Sequence, residues 1–170
     1  LLSHSCDRLS IPWGAEAPTG GVLLEGGPGG LARQPDVSQQ ARDILTHCFH
    51  GSACGILADE GNIRASVREA IERGVILDVG HGSGSFSWDV VETALAQDVA
   101  PKTISSDLHI YNVNGPVYDL VHVVTKFLHL GLSLDDALAK VTSVPAEIVH
   151  MAGDIGTLVQ GAWGDAVILE

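Results

Sequence analysis

The sequence predicts an α/β protein in which short parallel strands alternate with helices. Three observations support this class. Short apolar runs alternate with stretches whose apolar residues recur at helical spacing. The order strand, helix, strand, helix, strand, helix is the pattern of βα units on a parallel sheet. Each of the three strand candidates also ends in a residue able to bind a metal: His47, His81 and Asp107.

Residues 1–40 stand apart. The segment GAEAPTGGVLLEGGPGGLARQPD holds 7 of the chain's 20 glycines and 3 of its 7 prolines, a density that favours irregular chain. One short strand candidate, Gly21–Leu24, lies within it. From residue 41 the texture changes. Asp43 to His47 reads as a short buried strand. Ile63, Val67, Ala70 and Ile71 fall at helical spacing, and Gly74 ends that helix. Val75 to Val79 is an apolar β run leading into Gly80-His81-Gly82. Phe86, Val90, Ala94 and Leu95 mark a second helix, and Thr103 to Asp107 a third strand. Leu120, Val124, Phe127 and Leu128 mark a third helix, stopped at Gly131. Ser133 caps a fourth, with Asp136 three positions on as its capping-box partner. Pro145 starts another helical turn, and Gly156 to Glu170 reads as two short strands around a glycine-rich turn. The strands are short and nearly all apolar, as expected of strands covered on both faces.

Totals exclude several function classes. The formal charge is −12, from 21 acidic and 9 basic residues. Such a surface repels phosphate backbones and anionic membranes. No apolar run approaches the roughly 18 residues of a spanning helix. The opening LLSHSCDRLS lacks the basic start and long apolar centre of a signal peptide. Three cysteines, Cys6, Cys48 and Cys54, form no disulfide framework, so a cytoplasmic location is expected.

The chemistry gathers at the strand ends. In βα architectures the carboxyl ends of parallel strands face one shared site, so His47, His81 and Asp107 converge although they lie 34 and 26 positions apart. Two neutral imidazoles and a carboxylate suit a divalent metal such as zinc. The glycines beside His81 let the backbone bend and leave room for a ligand. Each of the three also has a bland reading, the histidines as polar strand ends and Asp107 as a helix cap. His50 and His109, a few residues beyond two of these positions, are read as substrate contacts or as solvated loop histidines. Cys48 alternates to the other face of its strand and is expected to be packed. The stretch THCFHG lacks the paired cysteines of a zinc knuckle. Asp119 and Lys126, on the third helix, are expected to be solvated. GSGS at 82–85 lacks the lysine and glycine spacing of a phosphate loop, and no GxSxG elbow is present.

The segments DILTHCFHG, GVILDVGHGSGSFSWDVVETAL, PKTISSDLHIYNVNGPVYDL and GTLVQGAWGDAVIL resemble the amidohydrolase superfamily, in its deacetylase or dihydroorotase-like branch. The resemblance covers about residues 42–170. It implies the C-terminal half of a (β/α)8 TIM-type barrel over 41–152, followed by a β-strand segment of a small sandwich at 153–170. It further implies a metal-dependent hydrolase of amide or ester bonds with one or two zinc ions. By motif, His47 and His81 match histidine ligands. Asp107 matches an aspartate that ligates metal and carries the proton from the attacking water to the leaving group. His109, Asn112, Asn114 and Gly115 border the substrate pocket. The implied substrate is a small molecule with an amide or ester, with no nucleic-acid or membrane partner and with room for a homo-oligomer. The family's opening HxH pair and mid-barrel bridging lysine have no counterpart before His47. A non-catalytic remnant or assembly partner retaining part of the fold is therefore the alternative.

Overall fold

The structure is a computed structural model that describes residues 43–169. The irregular reading of residues 1–40 and the strand candidate Gly21–Leu24 fall outside the described residues. Within them the order is β1 (Ile44–Leu45), α1 (Ala65–Glu72), β2 (Ile76–Leu77), α2 (Trp88–Leu95), α3 (Leu120–His129), α4 (Leu134–Ala139) and α5 (Ser143–Ile148).

β1 and β2 pair in parallel, Ile44 with Ile76 and Leu45 with Leu77. On the other side of β2, Asp78 forms a parallel bridge with Thr103. Past that bridge the chain continues as a ladder. Val79, His81 and Gly82 donate their backbone N–H groups to the carbonyls of Thr103, Ser105 and Ser106. Three extended segments thus run side by side with helical connections, the arrangement that parallel pairing demands. The third segment, 103–106, makes a bridge rather than a full strand. Its far side meets the end of α4 instead of another strand, because Ile104 donates to the Lys140 carbonyl.

Two sequence expectations need correction. The run 43–47 was expected to be buried, yet Ile44 and Leu45 are 54% and 42% exposed. Among the described residues only β2 flanks β1, so one edge and its side chains meet solvent. The stretch 156–169 was expected to form two strands and forms none. No described sheet edge lies against it. Its chain closes instead by local bonds such as Trp163 N–H to the Asp154 carbonyl, leaving Val167 and Ile168 exposed.

The helices follow their sequence signals closely. Gly74 and Gly131 follow α1 and α3 in left-handed conformation, which glycine adopts without strain. Asp119 caps α3 by accepting the His122 N–H, and Ser133 caps α4 by accepting the Asp136 N–H. The Ser133 hydroxyl also donates to the Asp136 carboxylate at 2.7 Å, closing the expected pairing through side chains. Pro145 sits in the first turn of α5, where a missing N–H costs nothing.

One core unites these elements. Phe49, Val79, Val91, Val117, Val123 and Phe127 are fully buried. Phe127 from α3 packs at 6.5 Å from Phe49 and at 6.0 Å, edge to face, from Phe86. Side chains of β2, α2 and α3 share this one buried cluster. No described helix is long and apolar enough to cross a membrane.

Candidate metal and proton-transfer site

The chain leaves β1, β2 and the third segment through His47, Gly80-His81-Gly82 and Asp107. All five turn sharply except His81. His47 and Asp107 take left-handed backbone, as do Gly80 and Gly82. A non-glycine residue there is uncommon and persists only where its surroundings hold it.

The glycines admit the neighbouring ligands. A Cβ at Gly82 would lie 2.6 Å from the Asp107 carboxylate, and one at Gly80 would lie 2.6 Å from His47 Nδ1. The space expected beside His81 is therefore filled from both sides, by His47 and by Asp107. GHG is the sequence imprint of that close approach.

Hydrogen bonding sorts four histidines into two kinds. A carbonyl oxygen only accepts, so an imidazole nitrogen facing one carries the proton. His47 Nδ1–H donates to the Gly80 carbonyl at 2.6 Å, and His81 Nδ1–H to the Gly82 carbonyl at 2.9 Å. In the neutral ring this bond fixes the tautomer whose Nε2 carries a lone pair. That is the state of a metal-binding imidazole steadied by a backbone acceptor. His50 and His109 are the reverse. Their Nδ1 atoms accept from the backbone N–H of Ser52 and Tyr111, each at 3.1 Å, which leaves Nε2–H as a donor.

His81 is the more enclosed ligand candidate, 2% exposed and stacked on Phe86 at 4.5 Å. Burial, and behind it the Lys126 charge, lowers its pKa, against the Gly82 carbonyl, which raises it. The ring is therefore neutral at pH 7. Its Nε2 accepts from Lys126 Nζ at 2.7 Å. Lys126 also donates to the Pro116 carbonyl at 3.0 Å and lies 5.5 Å from the centre of the Phe86 ring. Partial burial lowers its pKa. The expectation of a solvated Lys126 is corrected here. Asp119 is exposed as expected, with its pKa lowered first by the His122 N–H it accepts.

The loop after Asp107 brings together some of the expected substrate contacts. Asn112 is fully buried, and its amide is engaged within the loop. Oδ1 accepts from His109 N–H and Nδ2 donates to the Asp107 carbonyl, each at 2.8 Å. Asn112 thus shapes the loop and ties it to Asp107, where a substrate contact was expected. His109 and Asn114 are exposed, and Gly115 is half-buried with φ +120° beside the Tyr118 hydroxyl.

Asp78 escaped the sequence reading. It is 8% exposed, and its carboxylate accepts from three hydroxyls: Thr46 at 2.7 Å, Ser105 at 2.6 Å and Thr103 at 2.6 Å. A charged residue inside the run VILDV is the signal that could have found it, because a buried carboxylate demands partners.

Among the described residues, no group of three His, Cys, Asp or Glu side chains is gathered closely enough to hold a metal. The donor types are nonetheless those a divalent metal takes: His47 and His81 each turn Nδ1 to a backbone carbonyl, and the Asp107 carboxylate lies against Gly82. Cys48, as expected, is packed: it is 2% exposed, and burial pushes its thiol pKa up. Cys54 is disulfide-bonded, contrary to the expectation of no disulfide. A cavity of about 410 Å³ opens at the other ends of the strands, lined by residues such as Val75, Pro101 and Lys140, and none of the ligand candidates borders it.

Comparisons with known proteins place this segment among relatives. No family model matches the chain. A deacetylase of Enterococcus faecalis is 41% identical over 128 residues, which are 74% of this chain and 34% of that protein. A deacetylase of Agrobacterium fabrum is 39% identical over 110 residues, 64% of this chain and 27% of the relative. A solved adenine deaminase superposes with a TM-score of 0.67 at 39% identity, over 72% of this chain and 34% of that one. Over this segment the chain is an amidohydrolase-superfamily sequence. A dihydroorotase of the same superfamily superposes with a TM-score of 0.56 at 37% identity, over 64% of this chain and 29% of that one. This amidohydrolase segment spans 27–34% of the length of the curated relatives it matches.

Proposed function

We propose that the chain carries the later strand ends of a metal-dependent hydrolase of amide or ester bonds, of the deacetylase type, on part of a (β/α)8 barrel. The observation that carries this reading is the shared tautomer of His47 and His81. Both hold Nδ1–H on a glycine carbonyl, which in the neutral ring leaves the Nε2 lone pair for a ligand, at the ends of adjacent parallel strands.

His47, His81 and Asp107 would hold the metal, with zinc the best match to two imidazoles and a carboxylate. A bound divalent cation polarises the substrate carbonyl and makes water a stronger nucleophile near neutral pH. Asp107 takes a proton from the attacking water and passes it to the leaving nitrogen or oxygen. Its exposed carboxylate is suited to both transfers. Asn112 holds the Asp107 carbonyl in place, while His109 Nε2–H, Asn114 and the backbone at Gly115 face the substrate. Lys126 donates to the same His81 Nε2 that would hold the metal.

Metal analysis of the purified, folded chain tests this reading, together with hydrolysis of N-acetyl and O-acetyl compounds. Near-stoichiometric zinc that is lost in His81→Ala supports it, and a folded chain that takes up no zinc overturns it. The second reading, a non-catalytic remnant or assembly partner, draws on the absence of a closed three-ligand group among the described residues.

A further inference from the structure

We propose that Asp78 is a positioning residue that fixes the place and the tautomer of His47. The proposal rests on the reading of His47 as a metal ligand.

Two independent sets of bonds run from Asp78 to His47. The first holds the chain on either side of the histidine. The Asp78 N–H donates to the Leu45 carbonyl at 2.9 Å, and its carbonyl accepts from Cys48 N–H at 3.4 Å. Its Oδ2 accepts from the Thr46 hydroxyl at 2.7 Å. Residues 45, 46 and 48 are all tied to one residue of the neighbouring strand, so His47 is the link left to turn outward. That turn is its left-handed backbone, φ +57°. Such a conformation is unfavourable for an L-residue and needs a surrounding structure to hold it.

The second set reaches the ring. Ser105 donates its only hydroxyl proton to Asp78 Oδ2 at 2.6 Å. Its oxygen then has lone pairs left, and it accepts from Gly80 N–H at 3.0 Å. The direction of this bond is settled because the backbone N–H cannot accept. Gly80, so held, presents its carbonyl to His47 Nδ1–H at 2.6 Å. The buried carboxylate therefore orients Ser105, Ser105 holds Gly80, and Gly80 selects the protonated nitrogen of His47. Networks of this kind gain strength from low local dielectric and fail as a unit when one member is lost. Glycine is required in this chain of contacts, since a Cβ at Gly80 would meet both His47 Nδ1 and the Thr46 hydroxyl.

A merely structural role, stitching three strands together, would alter stability without altering the imidazole. Long-range ¹H–¹⁵N spectra of the full chain separate the two, because they report which ring nitrogen carries the proton. The His47 signals are assigned by their loss in His47→Gln. We expect an Nδ1–H ring in the wild type and a shift toward the other tautomer in Asp78→Asn and in Ser105→Ala. Ser105→Thr, which keeps the hydroxyl, restores the wild-type signals. Zinc affinity of Ser105→Ala falls about 10–100-fold, the usual effect of losing a group that orients a ligand. Where Asp78→Asn does not fold, Ser105→Ala carries the test alone. A folded Ser105→Ala chain with unchanged His47 signals overturns the proposal. A wild-type chain that binds no zinc, together with a tautomer shift in Ser105→Ala, overturns the metal reading and supports the clamp.

Discussion

β1 and β2 are the same dipeptide, Ile-Leu, paired residue for residue, yet their burial is opposite. Ile76 and Leu77 are 4% and 3% exposed, whereas Ile44 and Leu45 are 54% and 42% exposed. Composition and local conformation are identical, so position alone makes the difference. β2 has a neighbour on each side and lies in the core that α2 and α3 cover; among the described residues β1 has one neighbour. The contrast continues to the histidines that follow. His81 is stacked on Phe86 and enclosed, while His47 is half-exposed and depends on hydrogen bonds to Gly80 and its flanking residues. A ligand can be held by packing or by a polar network, and this chain uses one method at each strand end.

The largest expected effect concerns the third strand end, whose carboxylate is exposed while Asn112 holds only its backbone carbonyl. If exposed Asp107 transfers protons, Asp107→Asn lowers turnover by about 10²–10⁴-fold, with a much smaller change in substrate affinity. Steady-state kinetics on an acetylated substrate provide the check, and equal turnover in the two proteins removes Asp107 from the mechanism.

Next in size is the strand pair itself. Ile76→Ala should destabilise the fold by about 2–5 kcal/mol, the range for emptying a buried site. Ile44→Ala should stay within about 1 kcal/mol, as surface changes do. Urea unfolding of both variants decides the point. Similar losses would mean that β1 is covered in solution and that the contrast belongs only to the described residues.

The histidines sharpen the comparison. His47→Ala and His81→Ala should both lose zinc, but only His81→Ala should lose stability in metal-free chains, by about 1–3 kcal/mol. Metal analysis beside thermal unfolding separates the two effects. Retained zinc in either variant would strike that histidine from the ligand set.

The smallest effect is on pH dependence. The folded-state pKa of His81 is lowered from 6.5. On acidification the unfolded chain therefore takes up this proton first. The His81 contribution is fully present above pH 6.5 and is lost as the pH falls through the folded-state value. The difference in stability between the chelator-treated wild type and His81→Gln should shrink below pH 6.5, as followed by urea titrations across pH 5–8. A difference that is flat across that window would mean the ring is not held neutral by burial.

Much of this was legible in the sequence. The helices around Val67, Val90 and Val124 follow from apolar periodicity, with Gly74 and Gly131 as stops, and the next helix follows from the Ser133 cap. These signals are local and act within one turn. The strand ends at His47, His81 and Asp107 were legible because apolar runs stop there. The burial of β1 and the tail strands at 156–169 were misjudged, because strand formation needs a partner edge that no local pattern reports. Lys126 was misread for a related reason. A lysine beside a buried Phe127 has the spacing of a solvated position, and only the packing of α3 against Phe86 turns its ammonium toward His81.

The sequence by itself determined the α/β class, the order of elements and the three residues offered for chemistry, because periodicity, caps and glycines are written in neighbouring positions. Tertiary structure alone decided which Ile-Leu pair is buried, which nitrogen of His47 carries its proton, where the Lys126 ammonium goes and what the Asp78 carboxylate holds. Those outcomes depend on groups about 25 to 45 positions apart meeting across strands. A hydrogen bond or buried contact at that range exists only once the sheet has brought its two ends together.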